Sequence, residues 1–166
     1  MTSWTSLRPI TAADAVSATA FACCGSSGKY GAADIQRQVQ NGKAVRRSEV
    51  ETDHNYLGVF DDEDKLCAVA YHEPAPQERV GVSARYLRFI ALHDAFQRTR
   101  TPSGSRYADL LMQLVHDDIL DRYPATRAVL ARIHVRHVQS SQLLSRFGYV
   151  AVPGDTGVDP LYVRAL

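Results

Sequence analysis

The clearest hydrophobic pattern in the chain lies past its middle. Tyr107, Leu110, Leu111, Leu114, Val115 and Ile119 recur at helical spacing, while Asp109, Gln113, His116, Asp117 and Asp121 fall on the other positions. One apolar stripe beside one wet face predicts an amphipathic helix, ended by Pro124. Upstream the period shortens to two. Residues 56–60 and 66–72 flank an acidic turn and read as a hairpin. The second arm, L-C-A-V-A-Y, is continuous enough in apolar residues for burial on both faces, and Pro74 and Pro76 end it. Residues 85–92 read as a third strand, with Tyr86, Arg88, Ile90 and Leu92 on one face and Leu87, Phe89 and Ala91 on the other.

The ends of the chain continue this mixture. Residues 7–10 predict a short opening strand, and Thr11 with Asp14 three residues on marks a capped helix start running through Val16, Ala20 and Cys23. Gly and Ser over 25–31 break that helix, and a weaker one over 33–40 places Ile35 and Val39 on one face before Asn41-Gly42 stops it. Residues 43–55 are polar and predict no element. After Pro124, residues 129–135 read as a strand. Residues 137–147 read as a helix with Ser140, Leu143, Leu144 and Phe147 inward and Gly148 at its end, and 149–152 and 161–164 as closing strands. This order predicts an α/β domain over residues 1–166, a mixed sheet with helices packed on it.

Composition narrows the class without changing that picture. With 166 residues, 45% hydrophobic and 22% charged, the chain can bury a core without disulfides or metal. A formal charge of +1 lacks the basic excess of general nucleic-acid or membrane-surface binders, so a small or neutral partner is expected. The opening M-T-S-W-T-S is no secretory signal and no run has the length of a membrane span, which predicts a cytoplasmic protein. Cys23, Cys24 and Cys67 read as small buried apolar residues, since nothing basic flanks the adjacent pair to activate a thiol.

Candidate chemistry concentrates between residues 86 and 120. A strand there feeds the long helix through a loop in which Arg98, Arg100 and Arg106 surround Gly104, with no acidic residue between Gln97 and Ala108. Backbone N–H groups and the positive helix end then stand together where an anion binds. The same residues also fit a solvated surface loop. The acidic run Asp61-Asp62-Glu63-Asp64 is either a solvated hairpin tip or an attractor for a cationic substrate. His134 and His137 are three apart across a strand-to-helix turn, with no Cys or carboxylate close in sequence, so no metal site is expected.

Residues 133–149, I-H-V-R-H-V-Q-S-S-Q-L-L-S-R-F-G-Y, resemble the strand, turn and helix segment of the GNAT superfamily of acyl-CoA-dependent N-acyltransferases. In that segment an Asn is followed three residues on by a small residue, seven on by a Tyr, and then by Gly-Phe; here those places hold His137, Ser140, Leu144 and Gly148-Tyr149. The stretch Ser103-Gly104-Ser105-Arg106-Tyr107-Ala108, followed by Leu110 and Leu111, is similar to the family's pyrophosphate-binding segment, and residues 7–14 to its first strand and helix. Arg106 replaces a family glycine, which shifts phosphate binding from backbone toward guanidinium groups.

The resemblance implies a mostly antiparallel central sheet with one splayed parallel strand pair and helices on both faces. It further implies acetyl-CoA as co-substrate, bound between strands 86–92 and 129–135. Ala91, Leu92, Arg98, Arg100, Ser103, Gly104, Ser105, Arg106 and His137 would then line the cofactor. The acceptor would be an amine of a small molecule or peptide. A CoA-binding module without turnover, and an acyltransferase acting on a protein or aminoacyl-tRNA, are the alternatives. An amine arrives mostly protonated, so a base is needed, and Glu73, His134 and Tyr86 are the candidates, with His72 behind them. A homodimer through the C-terminal strands also accords with the resemblance.

Overall fold

The computed structural model describes residue 4 and residues 7–23, 31–51, 53–76 and 81–166. Cys24 and the expected break over 25–30 lie outside the described residues. Strand β1 (Arg8–Pro9) leads through a single 3-10 turn into helix α1 (Ala15–Thr19), and α2 (Ala32–Gln40) and α3 (Lys43–Val50) follow. Strands β2 (Asn55–Phe60), β3 (Leu66–Pro74) and β4 (Ala84–Leu92) precede the long helix α4 (Tyr107–Arg122). Then come β5 (Ala128–Arg132), α5 (Val138–Arg146), β6 (Val150–Ala151) and β7 (Leu161–Ala165).

These strands form one seven-stranded sheet in the order β1-β2-β3-β4-β5-β7-β6. Every neighbouring pair is antiparallel except β4 and β5, which run parallel. On one face Leu111, Met112, Val115 and Ile119 of α4, with Leu143 and Leu144 of α5, pack on Ala68, Ala70, Leu87, Val129 and Ala131. On the other, Ala18, Val39 and Val45 from α1, α2 and α3 cover Tyr56, Val69 and Tyr71. A smaller cluster of Ala75, Ala84, Ala128 and Leu130, edged by Tyr86, Leu161 and Val163, lies toward the β5 side.

Several sequence expectations change. The first helix, expected to run through Ala20 and Cys23, ends at Thr19. The polar stretch 43–55 contains α3, which is mostly polar and has one buried residue among its described side chains, Val45. The turn into it depends on Gly42 at φ +64°, a left-handed conformation suited to glycine. His116, expected on the wet face of α4, is buried, because Tyr149 and Arg164 supply polar partners there. Strand 129–135 stops at Arg132, and the chain turns through 135–136 before α5.

The strand over 85–92 is also rearranged. Tyr71 pairs with Phe89 but the next residue, His72, pairs with Leu87, so Arg88 is an extra residue on β4. Such a bulge reverses the alternation beyond it. Leu87, Ile90 and Leu92 therefore join the α4 core while Phe89 and Ala91 join the opposite one. Tyr86, Arg88, Ile90 and Leu92 do not share a face.

Candidate active site

The bulge positions the site. Parallel pairing of β4 with β5 runs from Ala84↔Ala128 to Leu87↔Ala131 and ends there, while β4 continues to Leu92 paired only with β3. From Arg88 onward the β5-facing edge of β4 has no strand beside it among the described residues. Bulged strands bend and twist more strongly, so the two parallel strands part at this point. Beside the parting is a cleft of about 220 Å3 lined by Glu73, Pro76, Tyr86, Arg88, Leu130, Arg132 and Leu161. Glu73, Tyr86 and Leu130 are consecutive cross-strand partners, which is why residues so far apart in sequence line one hollow.

Glu73 is the polar centre of the cleft. Its side chain is only 7% exposed, and Arg88 holds Oε1 from Nε and from a terminal nitrogen, each at 2.5 Å. The Tyr71 hydroxyl donates to Oε2 at 3.1 Å, and His54 Nδ1 lies 3.3 Å from the same oxygen and 2.6 Å from the Tyr71 oxygen. His54 Nε2 meets Glu51 Oε2 at 2.9 Å. Burial, then the Glu73 charge, push the Tyr71 phenol well above its ordinary range, so it stays protonated and donates. The Arg88 guanidinium also sits 4.6 Å from the centre of the Tyr86 ring.

Of the base candidates, Glu73 and Tyr86 meet at the cleft and His134 does not line it. His134 sits in the turn after β5, where its Nδ1 accepts the Arg136 N–H at 3.1 Å. His72 is fully buried on the α4 side of β3, between Arg85 and Asp118, and burial lowers its pKa. His137 stands at the start of α5 with Nδ1 2.9 Å from Ser140 Oγ, and burial, then the neighbouring His134, hold its pKa below 6.5, leaving a neutral ring. Leu144 is packed in the core. Among the described residues no three His, Cys, Asp or Glu side chains gather to hold a metal ion.

The arginine loop folds on itself. Thr101 N–H donates to Ser105 O at 2.8 Å, Gly104 N–H to Thr101 O at 2.9 Å, and Ser105 N–H to Thr101 Oγ1 at 3.1 Å. Ser103 Oγ lies 2.8 Å from Thr101 Oγ1, and Arg100 donates to Gly104 O at 2.6 Å. The Gly104 and Ser105 amides are thus used within the loop. What the corner presents outward is the exposed guanidinium groups of Arg98, Arg100 and Arg106 beside the start of the 16-residue α4. Ala91 and Leu92, partly exposed, lie at the end of β4 beyond the bulge.

His54, Tyr71 and Arg88 were not singled out from the sequence. A signal existed for Tyr71, which shares a face with Glu73 two residues on in β3. Nothing local marks His54, which follows α3 in the stretch without a period.

No protein-family model and no curated protein matches the sequence. Solved structures match the fold over nearly the whole chain. The PaiA N-acetyltransferase of Thermoplasma acidophilum, in complex with coenzyme A, superposes with a TM-score of 0.65 at 13% identity, covering 96% of this chain and 98% of that one. A GNAT-family acetyltransferase of Listeria monocytogenes gives 0.59 at 13% identity, covering 86% and 81%. The ribosomal-protein-S5-alanine acetyltransferase of Vibrio fischeri gives 0.62 at 12% identity, covering 99% and 96%. The chain has the fold of the GNAT acetyltransferases, with the parallel pair β4 and β5 parting in its middle.

Proposed function

We propose that the protein is an N-acetyltransferase that transfers an acetyl group from acetyl-CoA to the amine of a small molecule or peptide. The observation that carries this reading is the parting of β4 and β5 at the Arg88 bulge, with a buried carboxylate in the cleft beside it. Acetyl-CoA fits the residues present: the edge of β4 at Ala91 and Leu92, with no strand beside it among the described residues, would hold its arm, and Arg98, Arg100, Arg106 and the start of α4 would suit its phosphates. When bound, it supplies a thioester that an amine attacks, releasing a thiol.

The side chains of this protein handle the amine. Glu73 accepts its excess proton, since a carboxylate that is 7% exposed and held on one oxygen by Arg88 keeps Oε2 oriented. Tyr86, Leu130, Leu161 and Pro76 give the acceptor an apolar wall. Much of the rate in such a transfer comes from holding two reactants together, which this cleft geometry favours. Leu144 contributes no acid, so the departing thiolate takes its proton from water or from another donor.

The test has two stages. Acetyl-CoA should raise the melting temperature more than its dephospho analogue, and no shift at saturating ligand refutes the reading. Thiol release is then measured against alkyl amines, free amino acids and short peptides. Binding without release from any of them would replace the enzyme with a CoA-binding module.

A further inference from the structure

We propose that His54 carries the proton taken up by Glu73 out of the cleft, delivering it to solvent at Glu51. The inference rests on the acetyl-transfer reading above. A protonated amine that becomes an amide loses two protons, and the departing thiolate takes one of them. One proton per turnover must therefore reach water.

Glu73 is poorly placed to release it directly. Its side chain is 7% exposed, and Oε1 is covered by Arg88. Oε2 instead faces Tyr71 and His54. The His54 side chain is 14% exposed, and its far nitrogen meets the carboxylate of Glu51, which is 44% exposed. One imidazole thus joins a buried carboxylate to a surface one.

Imidazole can take a proton on one nitrogen and give one from the other. The proton passes from Glu73 Oε2 to His54 Nδ1, and the proton on Nε2 passes to Glu51 and then to water. The starting tautomer returns when the ring turns outward and exchanges with water, losing the Nδ1 proton and gaining one on Nε2. The charged and titratable groups facing this path are Arg47 from α3, Glu51 just after it, Tyr71 and Glu73 from β3, and Arg88 from β4 beyond Glu73. Arg47 Nε holds the other Glu51 oxygen at 3.0 Å, which fixes the outer carboxylate against the ring.

The experiment uses the full chain and whichever amine gives the fastest thiol release. His54→Ala should lower kcat about tenfold or more at low buffer concentration, a relay being worth less than a whole general base. The KM for acetyl-CoA should not change. Raising the concentration of imidazole buffer should then restore kcat, because a free base can occupy the outward route. A purely structural His54 would give a loss that imidazole does not relieve. His54→Gln, which keeps volume and hydrogen bonding, should show the same loss if the alanine variant folds poorly. Wild-type turnover in both variants, or a loss insensitive to imidazole, overturns the relay.

A second arm needs no turnover. The NMR titration of the His54 ring should move in Glu51→Gln and, separately, in Glu73→Gln. A curve unchanged by either substitution also overturns the proposal. Failure of every amine to support thiol release would instead sink the acetyl-transfer reading, with the NMR arm still deciding whether His54 joins the two carboxylates.

Discussion

His116 makes the stability of this fold depend on acid in a calculable way. It is 2% exposed, its Nε2 is 2.8 Å from the Tyr149 hydroxyl, and its Nδ1 accepts from the Arg164 guanidinium. Burial, then the Arg164 charge, bring its pKa down from 6.5 to about 3. The folded protein therefore keeps the ring neutral while the unfolded chain takes up a proton as the pH falls through 6.5. Stability is fully present above that pH, declines by about 1.4 kcal/mol per pH unit below it, and stops declining once the folded state also protonates. From pH 7 to pH 5 the loss works out at roughly 2 kcal/mol, and a folded pKa a unit higher would barely alter it. The assay is urea unfolding of the wild type and of His116→Gln, whose amide can still accept from Arg164 and donate to Tyr149, at both pH values. Other histidines titrate alike in both proteins and cancel in the difference. Equal losses in the two proteins would show that His116 is protonated in the fold and that its burial has no such cost.

Two further outcomes test the cofactor corner and the packing. Charge-assisted hydrogen bonds contribute about 1.5–3 kcal/mol each, so replacing Arg98, Arg100 and Arg106 together by alanine should weaken acetyl-CoA binding by about a thousandfold or more. Titration calorimetry reads this, and an unchanged Kd would put the phosphates elsewhere. A Cβ on Gly58 would lie 2.7 Å from Leu66 Cδ1 and 2.8 Å from both Ile10 Cγ1 and Phe60 Cε2. Gly58→Ala should thus cost about 1–3 kcal/mol, seen as a lower melting temperature, and a neutral result would mean that the Leu66, Ile10 and Phe60 side chains can swing aside.

The elements were legible where local periodicity is strong. Helix α4 and strand β3 announce themselves because each residue's environment follows from its spacing to its own neighbours, 3.6 or 2 residues to the repeat. Helix α3 did not, since its eight residues are mostly polar and, among its described side chains, only Val45 is buried. His116 was misplaced for a related reason: a polar residue on a helix is assigned to water unless its partners are known, and Tyr149 and Arg164 come from the far end of the chain.

The site was legible only as pieces. Glu73, Tyr86 and the arginine loop could be named from the chain, and the order of elements together with the resemblance at 133–149 pointed to the parallel pair. The bulge that parts this pair could not be read, because an extra residue on one strand is defined only against the register of its neighbour. The ring of contacts around Glu73 could not be read either, because it draws Glu51 and His54 from the segment after α3, Tyr71 from β3 and Arg88 from β4. Local pattern decides which segments become helices and strands, since propensity and burial act along the chain. Which carboxylate meets which cation or imidazole is decided by pairing and packing across it, and the chemistry at Glu73 depends on those meetings.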